Sequence, residues 1–171
     1  ISWGRSDTLH ASYVDGNDVT DTGTDTALAL EITTASRVLV YEDSLYVDDV
    51  DTYLTRDVSY IAVHDSDENR NPQMKDTLAL IVYVGNGGGN MGGLGIGVNG
   101  FVLDTETLTL TESGETTGWF RSGAIQVNDT EYPSTVNNGR LTVGLSDTMH
   151  AAYTDTNDAS DNLGRDTALI E

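Results

Sequence analysis

The chain has 171 residues and a formal net charge of −20, with eight Lys and Arg against 28 Asp and Glu. That balance makes phosphate backbones and anionic lipid surfaces poor partners and cations good ones. There is no cysteine, which excludes disulfides, thiolate metal sites and cysteine catalysis, and no apolar run reaches the length of a membrane-spanning helix.

Acidity with few aromatics is also a signature of disorder, but 37% of the residues are apolar and many alternate. We therefore expect a folded protein whose charge is offset by bound metal; a halophilic surface is the other explanation. The length suits one or two β-sandwich domains.

Along the chain, Leu9, Ala11 and Tyr13 alternate as a half-buried strand requires. Asp15, Asn17, Asp18 and Asp21 follow as an acidic turn, and Asp25-Thr26-Ala27-Leu28 opens a second strand. Asp43, Asp48, Asp49 and Asp51 read as a solvated face. Asp57 to Val63 is a strand, residues 65–71 an acidic loop, and Asp76-Thr77-Leu78-Ala79-Leu80 opens the next strand. The apolar runs 27–30 and 78–83 suit strands covered on both faces. Residues 85–100 are Gly-rich and read as a connecting loop; they lack the Gly-Lys-Ser/Thr ending of a phosphate-binding loop. Leu108 and Leu110 alternate with Thr107, Thr109 and Thr111, another half-buried strand. Trp119 and Phe120 are expected in the core. No segment carries helical periodicity.

The chain repeats itself. Residues 4–31 and 144–171 align through Ser6-Asp7-Thr8-Leu9-His10-Ala11-Ser12-Tyr13 and Ser146-Asp147-Thr148-Met149-His150-Ala151-Ala152-Tyr153. Asp15, Asn17, Asp18 and Asp21 meet Asp155, Asn157, Asp158 and Asp161, and Asp25-Thr26-Ala27-Leu28 meets Asp166-Thr167-Ala168-Leu169. A weaker copy spans 57–80. Each copy reads as strand, acidic loop, strand. This divides the chain into an N-terminal hairpin (1–31), a main domain (32–146) and a C-terminal hairpin (147–171). Glu31-Ile32-Thr33 also resembles Glu171 rejoined to Ile1-Ser2, which suggests one unit of a tandem array, a mature segment or piece of a longer chain, with end strands that complete a neighbouring sheet. A self-contained domain with an ordinary terminal hairpin is the alternative.

Calcium takes six to eight oxygen ligands, mostly carboxylates and carbonyls. Asp15, Asn17, Asp18, Asp21 and Asp25 place such oxygens on one turn, and Asp155, Asn157, Asp158, Asp161 and Asp166 repeat them. Asp65, Asp67, Asn69 and Asn71 fall at alternate positions of an EF-hand-like run closed by Asp76. Arg70 stands where that loop needs Gly, so we expect a calcium-capable hairpin loop rather than an EF-hand. Plain acidic turns remain the competing account, since Asp and Asn are ordinary turn formers.

Other chemistry is sparse. His10, His64 and His150 read as half-exposed strand residues. No His-Glu-x-x-His or Gly-x-Ser-x-Gly occurs, and we expect no enzymatic activity. Asn128-Asp129-Thr130 is an N-glycosylation acceptor pattern, and the many Thr and Ser permit further glycans.

Residues 108–120, Leu108-Thr109-Leu110-Thr111-Glu112-Ser113-Gly114-Glu115-Thr116-Thr117-Gly118-Trp119-Phe120, resemble a phrase of large repetitive secreted prokaryotic proteins. Ser146 through Ala168 is similar to a second phrase of that family, and Asp65 through Thr77 to its acidic loop. The resemblance implies an antiparallel Ig-like β-sandwich with repeated β-hairpins and acidic loops. It implies an extracellular or cell-surface location and a structural role in a filament, surface layer or adhesin stalk, with copies of the chain itself as partners. The alternatives are a carbohydrate- or surface-binding module and an accessory domain of a secreted enzyme.

Overall fold

The computed structural model describes residues 8–28, 34–86, 90–91, 96–97, 101–129, 134–158, 161 and 164–171. The opening of the first repeat before Thr8, the residues 29–33 with their join motif, Thr130 of the glycosylation triplet and most of the Gly-rich stretch lie outside the described residues.

The protein is all-β; no helix occurs among the described residues. It divides into Ile1–Thr33 and Thr34–Glu171. In the first unit β1 (Thr8–Val14) and β2 (Thr22–Leu28) form an antiparallel hairpin, in register from Thr8 opposite Leu28 to Val14 opposite Thr22. The alternation of Leu9, Ala11 and Tyr13 marks a face built for burial, yet every residue of β1 is exposed, and so is Ala27.

The second unit contains β3 (Arg37–Tyr41), β4 (Thr52–Tyr53), β5 (Val58–His64), β6 (Thr77–Asn86), β7 (Asn90–Met91), β8 (Ile96–Gly97), β9 (Phe101–Glu112), β10 (Trp119–Arg121), β11 (Ile125–Asn128), β12 (Arg140–Thr142), β13 (Thr148–Tyr153) and β14 (Gly164–Ile170). β7 and β8 pair with each other inside the Gly-rich stretch. The remaining strands form one hydrogen-bonded path, β12-β11-β5-β10-β9-β6-β13-β14-β4, with β3 on the free edge of β5. Most pairs are antiparallel; β11–β12 and β14–β4 are parallel.

The segment 57–80, expected to be a third hairpin, is not one. β5 pairs with β3, β10 and β11, whereas β6 pairs with β9 and β13. The acidic loop 65–76 therefore bridges strands separated by β9 and β10. Residues 147–171 belong to the second unit, because β13 lies along β6.

Alternation fills the core. Val38 and Val40, Ile61 and Val63, Leu80, Val82 and Val84, Leu110, Phe120, Met149, Ala151 and Tyr153 all face one apolar cluster. Burying each larger aliphatic or Phe side chain contributes about 1.5–3 kcal/mol. Leu78, Leu80, Val82 and Val84 are buried while Ala79 is exposed and Ile81 half-buried, so β6 is not uniformly covered on both faces. Phe120 is in this core, but Trp119, its neighbour on a period-2 strand, faces the opposite way and packs with Leu39, Tyr41, Tyr46, Tyr60 and Ala62.

Much of the acidity is structural. Along β9 the inward positions are Asp104, Glu106, Leu108, Leu110 and Glu112, and the intervening Thr107, Thr109 and Thr111 are exposed. Asp104 accepts the Thr142 N–H (2.8 Å), and Glu106 accepts those of Asn138 (2.9 Å) and Gly139 (2.8 Å). Glu112 accepts those of Thr117 (2.7 Å) and Gly118 (2.8 Å). Each carboxylate binds backbone donors where no strand supplies a carbonyl, which removes the cost of burying both groups. Elsewhere β3 runs alongside β14 in the same direction, as the order of their side-chain bonds shows. Ser36 donates from N (2.6 Å) and Oγ (2.9 Å) to Asp161, and Val40 donates its N–H to Asp166 (2.9 Å).

Candidate metal centre

The stripe of core-facing residues on β5, Ile61 and Val63, continues in the next inward position to Asp65. The stripe on β13, Met149, Ala151 and Tyr153, continues to Asp155. Both carboxylates thus begin their loops still pointing inward: Asp65 is 0% and Asp155 3% exposed. The loop containing Asp65 is anchored by its own N–H, which donates to the Gly118 carbonyl at 2.8 Å. Asp67, two residues on, completes a group in which one oxygen from each of Asp65, Asp67 and Asp155 lies within 4.8 Å of the others.

Hydrogen bonds leave the centre of this group unsatisfied. Both oxygens of Asp65 and Oδ2 of Asp155 are buried without a hydrogen-bond partner. Asp155 Oδ1 accepts the Asn157 N–H at 2.6 Å, which fixes the rotamer. Asp67 is held from its outer side by the Thr34 hydroxyl at 2.7 Å. Buried carboxylate oxygens are costly unless paired, so the geometry calls for a positive charge or a proton.

The electrostatics agree. Burial pushes the Asp65 carboxyl up to about 8, and the neighbouring Asp67 and Asp155 charges add to the rise. Burial also raises Asp67, but the adjoining Asp65 carboxyl and the bonds from Thr34 outweigh that and leave it below the usual value. Burial raises the Tyr153 phenol, with Asp65 beside it adding to the shift. Carboxylates this close do not all ionise unaided. A divalent cation removes the repulsion, and three carboxylates without His or Cys suit a hard ion of the calcium or magnesium kind.

The other acidic residues have separate tasks. Glu68, buried beside the centre, pairs with Arg70 and accepts from Asn157 Nδ2 at 2.9 Å. Asp76 does not join the carboxylate group: its Oδ2 accepts the N–H groups of Arg70 and Asn71, both at 2.7 Å, bracing the loop. Asn69 carries a buried Oδ1 without a partner. Asp158 is buried, while Asp161 and Asp166 bind β3 and the segment leading into it. In the first unit Asp15 caps Asn17 N–H (2.8 Å), Asp18 binds Thr20 N–H (3.0 Å) and Asp25 caps Thr26 N–H (2.8 Å). Among the described residues, Asp15, Asp18, Asp21 and Asp25 do not bring three carboxylates together. Asp48, Asp49 and Asp51 are exposed. Asn128 ends β11 half-buried, and its carbonyl accepts the Val143 N–H at 2.9 Å.

Sequence reasoning flagged all three but placed Asp65 and Asp67 in one loop and Asp155 in another, as separate sites. The inward phase of Asp65 and Asp155 was the available signal that they share a site.

A second concavity lies on the outer face of β3, β5 and β10, lined by Tyr41, Tyr46, Trp119 and Arg121. Tyr46 donates its hydroxyl to the Ser122 carbonyl, and the Arg121 guanidinium lies 4.6 Å from the Tyr46 ring centre.

Scanned against protein-family models the sequence matches none, and no curated protein matches it.

Proposed function

We propose that this protein is a non-enzymatic structural module, an Ig-like β-sandwich stabilised by calcium, that serves as a building block of an extracellular filament, surface layer or adhesin stalk. The observation that supports it best is the Asp65, Asp67 and Asp155 group. A cation there joins the loop after β5 to the loop after β13, two segments far apart in sequence, and so stiffens the domain rather than activating a substrate. The repeated hairpin and the resemblance to repetitive surface proteins favour self-association as the use of that stiffness.

Calcium-dependent unfolding tests the metal. Extracellular modules bind calcium with Kd of roughly 10⁻⁴–10⁻³ M, and free ion at ten times Kd adds about 1.4 kcal/mol of stability. A domain of this size then gains about 2–6 °C in Tm. The same Tm in millimolar calcium and in chelator would remove the metal from the account. Electron microscopy in the two conditions tests assembly: filaments that fray in chelator support it, and dispersed particles in both oppose it.

The aromatic concavity motivates a second reading, a carbohydrate-binding module. Tyr and Trp faces with an Arg beside them are the chemistry of sugar stacking and hydrogen bonding. A glycan array on which wild type binds and Trp119→Ala does not would favour that reading; an array without binding removes it.

A further inference from the structure

The hairpin β1–β2 reproduces β13–β14 beyond sequence. Thr8 opposite Leu28, Leu9 opposite Ala27, His10 opposite Thr26, Ala11 opposite Asp25 and Tyr13 opposite Gly23 match Thr148 opposite Leu169, Met149 opposite Ala168, His150 opposite Thr167, Ala151 opposite Asp166 and Tyr153 opposite Gly164. Hydrogen bonds in and beside the described parts of the loops match too. Asn17 N–H to Asp15 repeats Asn157 N–H to Asp155, and Asp15 N–H to the Asp21 carbonyl repeats Asp155 N–H to that of Asp161. Thr26 N–H to Asp25 repeats Thr167 N–H to Asp166.

What differs is the surroundings. Met149 is 0% and Tyr153 3% exposed; Leu9 is 41% and Tyr13 60% exposed. His150 stacks on Tyr83 with ring centres 4.6 Å apart, and His10 is exposed. Gly164 is the most telling position. A Cβ there would meet Ser36 Oγ at 2.6 Å and Val38 Cγ2 at 3.2 Å, because β14 passes close to β3. Its counterpart Gly23 has nothing within 4 Å of such a Cβ. The hairpin thus has an apolar face without cover and a glycine without the close neighbour that explains its twin.

We propose that β1–β2 is the closing hairpin of a second copy of the body that residues 34–143 form here. It docks on that copy's β6 edge as β13–β14 docks in this chain. Leu9, Ala11 and Tyr13 enter the second core, His10 stacks on the counterpart of Tyr83, Asp21 and Asp25 bind the counterparts of Ser36 and Val40, and Asp15 supplies the third carboxylate of the second metal centre. In this chain β13 already fills the β6 edge, so the acceptor is a body without a closing hairpin of its own, whose β6 offers an open ladder and a matching apolar face. The join therefore belongs to bodies strung in tandem, each closed by the hairpin that follows it, and gives a linear array rather than a closed ring. The inference deepens the building-block reading and is independent of the metal.

The test extends the full chain at its N-terminus, placing a second copy of residues 34–143 directly before residues 4–171 so that Gly4 takes the place of Gly144. Hydrogen exchange is followed in β1 and β13. The β1 amides that point away from β2 are expected to exchange about 100-fold or more slowly than in the 171-residue chain, approaching those of β13. Gly23→Val should leave the Tm of the 171-residue chain unchanged and abolish the new protection, while residues 34–171 stay protected as the internal control of folding. Equal β1 exchange in the two chains overturns the proposal. So does an added body that stays unprotected beside a folded 34–171, or protection indifferent to Gly23→Val. Runs in calcium and in chelator separate the two readings: β1 protection with no response to calcium overturns the metal and leaves the docking standing.

Discussion

Glu112 and Gly118 fix one another across the β9–β10 turn: the buried carboxylate accepts the Gly118 N–H at 2.8 Å, and the Gly118 carbonyl in turn accepts the Asp65 N–H at 2.8 Å. A core carboxylate on β9 is thereby one residue removed from the Asp65, Asp67 and Asp155 cluster. Gly118 has a φ of 60°, and a Cβ there would lie 3.0 Å from both the Asp65 carbonyl oxygen and Ser66 Cα. Gly118→Ala should therefore cost about 1–2 kcal/mol from the left-handed backbone alone. Crowding should also displace Asp65, so calorimetry should show weaker calcium binding together with a lower Tm.

Glu112 also sets a pH dependence. Burial raises its pKa, but the N–H groups of Gly118, Asp76 and Thr117 outweigh burial and leave it below the ordinary value of 4.5. The folded state thus binds this proton more weakly than the unfolded chain. The stabilisation is present above the unfolded pKa and is lost as pH falls through the folded one. Glu112→Gln should be less stable than wild type near neutrality, by about 1–3 kcal/mol, and the gap should close below pH 4.5 as wild type protonates. A constant gap in chemical denaturation across that range would rule the linkage out.

Calcium binding by the Asp65, Asp67 and Asp155 cluster predicts a crossing of stabilities. In chelator, Asp65→Asn relieves repulsion among buried carboxylates and should match or exceed wild type in Tm. In millimolar calcium the order should reverse, because the variant loses a ligand. Asp155→Asn should behave alike. A variant that retains the full calcium-induced shift would place the ion elsewhere.

Glu106 holds the approach to β12 by accepting the Asn138 and Gly139 N–H groups. Glu106→Ala should leave those donors without their partner and lower stability by about 1–3 kcal/mol. Faster amide exchange at Asn138 and Gly139 than in the rest of the domain should accompany the loss.

The all-β class was legible because Leu108 and Leu110 alternate with threonines, and period 2 fixes the element type. The matching hairpins were legible because their residues coincide in order. That 57–80 is no hairpin was not, since the same strand-loop-strand pattern serves a hairpin or a crossing between distant strands, and non-local pairing decides. The core carboxylates Asp104, Glu106 and Glu112 sit on the same alternation as Leu108 and Leu110 and were passed over because charge is expected outside. Trp119 and Phe120 are adjacent on one strand, so the pleat sends them to opposite faces; assigning both to the core ignored it. For the candidate centre, Asp65, Asp67 and Asp155 were named, but only the fold brings their two loops together.

The contacts between β3 and β14 have a shear geometry with respect to tension along the chain. Both strands run in the same direction, joined by Asp161 to Ser36 and Asp166 to Val40. Tension applied at residues 34 and 171 pulls the strands lengthwise past each other. These bonds then bear load together, as rivets in shear, instead of parting one after another like the teeth of a zip.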